Sequence, residues 1–99
     1  MAQGNGPKYA VHMAQQTRLH LQRMHIEADQ AGRSARFVAA VRHIINQLQQ
    51  DPWAFGEPTF RLPGLKLQVH TAARLPLVVD YGIHEERPLV FIRGFKTLS

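Results

Sequence analysis

His25 and Asp29 stand four residues apart, a separation that puts both side chains on one face of a helix, where they could chelate a metal ion. Such a pair is more often a solvated hydrogen bond. His20 and Met24 share the same spacing and read as a helix surface meeting the edge of a core. Ser34 offers a hydroxyl but has no evident base, and its place between two helical patterns suits a cap. Trp53 and Phe55, beside Gly56, could stack on a nucleic-acid base. Packing of that loop against the helices is the commoner use of such rings. The run "GNGPK" lacks both the following helix and the Lys-Ser/Thr pair of a Walker motif, so no phosphate loop is read. No cofactor or metal is expected.

Charge points to a class of partner. Twelve Lys and Arg face seven Asp and Glu, a formal +5. The excess is uneven, with a net +4 over residues 1–50 and +1 over residues 51–99. A basic surface attracts phosphate polymers, acidic membranes and acidic proteins alike, and also serves solubility. The 99 residues contain no cysteine, which excludes disulfides and thiolate metal sites and agrees with a reducing cytoplasm. No run of eighteen apolar residues occurs, and "MAQGNGPK" lacks the hydrophobic segment of a signal peptide. The chain is expected to be soluble, cytoplasmic and without a membrane partner.

The elements that must position these residues follow from periodicity. Residues 1–7, rich in Gly and Asn, predict a disordered N-terminal tail, and residues 8–99 a single domain. From Lys8 to Ala14, Tyr9, Val11 and Met13 alternate with Lys8, Ala10 and His12, which predicts a strand. Thr17 is placed to cap a helix running to about Ala31, with Leu21, Met24, Ala28 and Ala31 on its inner face and Gly32 to end it. A second helix, capped by Ser34, carries Phe37, Val41, Ile44, Ile45 and Leu48 at helical spacing. Asp51-Pro52 stops it, because proline disfavours helical geometry in the residue before it.

Three extended segments come next. Thr59 to Ala73 contains a turn or bulge signal at Pro63-Gly64, then Leu65, Leu67 and Val69 alternating with Lys66, Gln68 and His70. Leu77, Val79, Tyr81 and Ile83 alternate with Val78, Asp80, Gly82 and His84. Glu85 to Pro88 form a polar turn before a final strand from Leu89 to Phe95. The order β-α-α-β-β-β predicts an α+β fold: a small, mostly antiparallel sheet with an N-terminal helical hairpin on one face. The helix stripe is expected on Leu77, Val79, Tyr81 and Ile83. The other face, with His70, Arg74 and Arg93, is expected to be open, although Leu89, Phe91 and Phe95 share the parity of Arg93.

This order, with the phrases "FVAAVRHIINQLQQDPWAFGEPTFRL" and "LPLVVDYGIHEERPLVFIRGF", resembles the RelE/ParE superfamily of toxins from bacterial toxin–antitoxin modules. Leu48, Pro52 and Gly56 fit the family's midpoint motif. Tyr81, Ile83, Glu85 and Glu86 fit its later strand motif, and Val90 to Ile92 its last strand. The resemblance spans roughly residues 8–96 and implies a growth inhibitor neutralised by an antitoxin protein.

Two activities are implied. RelE-type members cut messenger RNA on the ribosome; ParE-type members inhibit DNA gyrase. RNA cleavage by the 2′-hydroxyl needs a base, cations for the charged phosphorane and an acid for the leaving oxygen. In that version Arg74, Arg93 and Lys96 would stabilise phosphate, and His70 or His84 would transfer the proton. The arginine usual before the later strand motif is replaced by Leu75-Pro76-Leu77, with Arg74 nearest. The sequence also reaches Ser99 without the His-Tyr or Tyr ending of several active members. Both departures favour the rival, a non-catalytic binding module that is either a gyrase inhibitor or a degenerate member without toxicity.

Overall fold

The computed structural model describes residues 7–98; the predicted tail at residues 1–7 therefore lies almost wholly outside the described part. Strand β1 (Ala10–Met13) leads into helices α1 (Gln15–Gln30) and α2 (Ser34–Gln50), then a single turn, α3 (Pro52–Phe55). Strands β2 (Glu57–Leu62), β3 (Leu67–Arg74), β4 (Leu77–His84) and β5 (Leu89–Thr97) complete the chain. They form one five-stranded sheet in the order β1-β5-β4-β3-β2. β1 runs parallel to β5, and every other pair is antiparallel. The fold is α+β, with the helices on one side of a mixed sheet.

α2 is the organising helix. Phe37, Ala40, Ile44 and Leu48 are buried, and Val41 and Ile45 pack beside them. The small Ala40 holds the middle of the stripe that the spacing assigned to Val41. Facing it are Leu77, Val79, Tyr81 and Ile83, each with no exposed surface. α1 contributes less: Met24 is buried, Leu21 and Ala28 flank the core, and Leu19 and Ile26 are exposed.

The helix ends differ in detail from the sequence expectation. α1 starts two residues before Thr17, from an extended Ala14, so Thr17 sits inside the first turn and caps nothing. Arg33 is the N-cap of α2, and Ser34 is its first helical residue. The Ser34 hydroxyl instead meets His25 Nε2 at 3.1 Å. Gly32 does end α1. Its φ of +73° lets the Arg33 N–H donate to the Ala28 carbonyl at 2.7 Å, closing the helix in the manner of a Schellman turn.

Asp51-Pro52 stops α2 and starts α3. The Asp51 carboxylate accepts the Ala54 N–H at 3.3 Å, and Pro52 takes the first helical position, where a missing N–H costs nothing. Pro63-Gly64 is a full reversal through Pro63–Leu65, so Glu57–Leu62 becomes a separate strand paired with β3. The sheet thus has one strand more than the periodicity resolved, and Leu65 is exposed in the turn. Truncating Ile44 to alanine should lower the unfolding free energy by about 2–5 kcal/mol, the usual range for an aliphatic side chain removed from a closed core. Urea denaturation of the variant measures it.

Candidate functional site

The sheet face away from the helices is shaped by a bulge in β5. Asp80 pairs with Gly94 and Tyr81 with Ile92, so Arg93 has no partner across the strands. One extra residue reverses the alternation. Val90 and Ile92 point into the core before it, and Phe95 does so after it. Arg93 emerges on the open face with Phe91 and Lys96, whose partners across the strands are Gly82 and Val78. The shared parity of Leu89, Phe91, Arg93 and Phe95 is therefore broken: Phe95 lies under the helices, while Leu89 and Phe91 are only partly covered.

Arg93 Nη1 donates to Asp80 Oδ2 at 3.1 Å, and its guanidinium lies 5.4 Å from the ring centre of Phe60 on β2. Lys96, Thr71, Asp80 and Gly94 line a shallow hollow of about 280 Å³ beside it. His12 of β1 stacks on Phe91 at 5.5 Å, extending the face toward the opposite edge. Leu67 and Val69 form an apolar layer beneath, with Leu67 lying over Gly82, where an added Cβ would come within 3.1 Å of it. At one end of the sheet, Arg61 pairs with Glu85 through both carboxylate oxygens, and Lys66 pairs with Glu86 at 3.1 Å. The Arg61 hydrogen bond holds the Glu85 carboxyl below its ordinary range.

The remaining candidates lie elsewhere. His70 was expected on the open face; it pairs with Tyr81 in the sheet and so points into the helix side, where it is 2% exposed. Trp53 meets it edge-on at 5.6 Å, and Tyr81 lies at 5.7 Å. Its Nδ1 is buried and has no hydrogen-bond partner among the described residues. Burial pushes its pKa down, with a Gly56 backbone hydrogen bond acting the other way. Tyr81 is buried with it and donates to the Pro52 carbonyl at 2.8 Å. Burial drives that phenol up to about 12, so it stays protonated at neutral pH.

His84 caps the β4–β5 turn: its Nδ1 accepts the N–H groups of Glu86 and Arg87, both at 3.1 Å. Arg74 also leaves the expected face. It ends β3 on the helix side and shares a hollow with Arg36 and Leu75. Of the five candidates, only Arg93 and Lys96 come together.

The other chemical readings resolve into packing. His25 stacks on Phe37 at 5.2 Å while meeting Ser34, and Phe55 stacks on Tyr81 at 6.3 Å. No helix among the described residues is long and apolar enough to cross a membrane. Asp80, Phe60 and His12 belong to the open face and were not singled out from the sequence. The alternation that placed Asp80 opposite Val79 and Tyr81 was the available signal. Among known proteins, the chain matches no family model, no curated protein and no solved structure.

The open face can hold an anionic or polar partner between Arg93, Lys96 and the exposed Phe60. His70 lies on the opposite face from those cations, and His84 ends β4 with its Nδ1 bonded in the turn. His70 also ties stability to pH. Its native pKa lies below the unfolded value of 6.5, so the unfolded chain takes up a proton first as pH falls. The stabilisation is complete above that value and is lost as pH drops below it toward the native pKa. The urea midpoint should fall as pH is lowered through 6.5, and His70→Phe should flatten that slope.

Proposed function

We propose that the protein is a RelE/ParE-like toxin-family member, a growth inhibitor neutralised by an antitoxin, that acts by binding its target rather than by cutting messenger RNA. The observation that carries this reading is the separation of parts. Arg93 and Lys96 share the open face, while His70 is sealed behind the sheet and His84 Nδ1 is committed to its turn. The 2′-hydroxyl reaction needs a base and an acid at the cations; His70 lies on the opposite face, and His84 ends β4 four residues beyond the Asp80 that meets Arg93. The helical hairpin on a sheet is also the architecture that the resemblance implies. DNA gyrase is the target of the non-catalytic branch.

The bulged Arg93 is the anchor in this account. It is braced by Asp80 and Phe60 on a rigid sheet, an arrangement that favours binding because little side-chain freedom remains to be lost. Induced expression in cells should arrest growth with gyrase-dependent DNA damage and without cleavage of translated messages. Arg93→Ala should weaken the effect by about tenfold in dose, the size expected for a central arginine contact. Message cleavage at ribosomes that depends on Arg93 would overturn the binding reading in favour of the endonuclease. Absence of arrest with an intact fold would leave a degenerate member that kept the fold alone.

A further inference from the structure

A second cluster of cations lies on the opposite side, at the end of the molecule where the α1–α2 and β3–β4 connections meet. Arg33 and Arg36 line a cavity of about 340 Å³ whose walls include Met24, Phe37, Leu75 and Leu98. Arg36 also lines the adjoining hollow, which it shares with Arg74. All three arginines are exposed. None makes a side-chain hydrogen bond or ion pair with another described residue. The acids that neutralise cations elsewhere, Asp80, Glu85 and Glu86, are taken by Arg93, Arg61 and Lys66. Among the described residues, Glu27 is the one acid lining either hollow.

We propose that this end binds an acidic peptide segment of a partner protein, seating one of its large apolar side chains in the cavity and its carboxylates on Arg36 and Arg74. The walls decide the class of ligand. A bare anion would satisfy the arginines but leave Leu75 and Leu98, 59% and 51% exposed, facing water. An amphipathic segment covers both, and planar guanidinium groups match carboxylates in a bidentate fork. The volume lies at the small end of the range for ligand pockets, roughly 300–1,000 Å³, and suits a side chain or two. One wall is fixed, since the Leu98 N–H donates to the Pro76 carbonyl at 2.9 Å.

Nucleic acid fits less well. Single strands are held by exposed rings on which bases stack, and among the described residues the one ring lining the cavity, Phe37, is 3% exposed and already stacked on His25. A membrane surface would meet protruding apolar side chains rather than a concave wall. The inference stands apart from the growth-inhibitor reading, because Arg36 and Arg74 lie on the helix side of the sheet and Arg93 on the other.

Fluorescence anisotropy with the labelled peptide Glu-Asp-Glu-Leu-Phe-Glu-Asp-Glu tests it on the whole chain. Saturable, salt-sensitive binding is expected, weakened roughly tenfold or more by Arg36→Ala and by Arg74→Ala. Replacing the central Leu-Phe by Ala-Ala should weaken it comparably. Both arginines are exposed, and the urea midpoint of each variant confirms an intact fold. Absence of saturation, unchanged affinity in both arginine variants, or equal affinity for the Ala-Ala peptide would overturn the proposal. So would tighter, arginine-dependent binding of a short single-stranded RNA or of phosphatidylserine vesicles.

Discussion

The meeting of Tyr81 with the chain at Pro52 is the constraint on which the rest of the structure depends. Tyr81 sits in the central strand with no exposed surface, and its hydroxyl reaches the carbonyl of the residue that starts α3. A buried hydroxyl without a partner is costly, so the turn after α2 is held at one height above the sheet. Gly56 closes the same junction. A Cβ there would come within 2.7 Å of the Thr71 carbonyl and 2.8 Å of the Tyr81 hydroxyl, so the chain passes only without a side chain. The helical half and the sheet half are thereby locked together beside His70, which explains why that imidazole is shut in.

The second constraint is the extra residue in β5. Without it, Arg93 and Phe95 would share one face, and either a guanidinium would enter the core or a phenylalanine would leave it. The bulge lets Phe95 pack beneath the helices while Arg93 stands outside with Asp80. The open face owes its cationic anchor to that insertion. The arginines of the sheet are braced by acids and an aromatic ring, whereas Arg33, Arg36 and Arg74 at the helix-turn end have no side-chain partner among the described residues.

Much of the architecture was legible because it rests on periodicity. The stripe of α2 and the inward row of β4 repeat at 3.6 and 2 residues; the row fell where expected, and so did the stripe except that Ala40 rather than Val41 holds its middle. Gly32 and Asp51-Pro52 were equally plain, since each acts through its own backbone chemistry. What escaped was set by register. The second strand was hidden because Pro58 and the exposed residues of an edge strand carry little alternation. His70 falls on the other face because Leu67 and Val69, the apolar row of β3, are buried on the side away from the helices, which turns the polar row that holds His70 toward Tyr81 and the helices. The candidate site was less readable still. A bulge and a buried face are properties of strand pairing, and a sequence shows residue types without showing which strand they pair with.

The position of β5 within the sheet has a consequence for synthesis. It lies between β1 and β4, so the first strand made has no neighbour until residues 89–97 have been added. A nascent chain holding only β1, α1 and α2 carries the bare stripe of Phe37, Ile44 and Leu48 without the surface it packs on. Long-range pairing of this kind folds late and leaves apolar segments open to capture in the meantime. Completion of β5 supplies both the partner of β1 and its link to β4, so the sheet closes only when the last strand is in place.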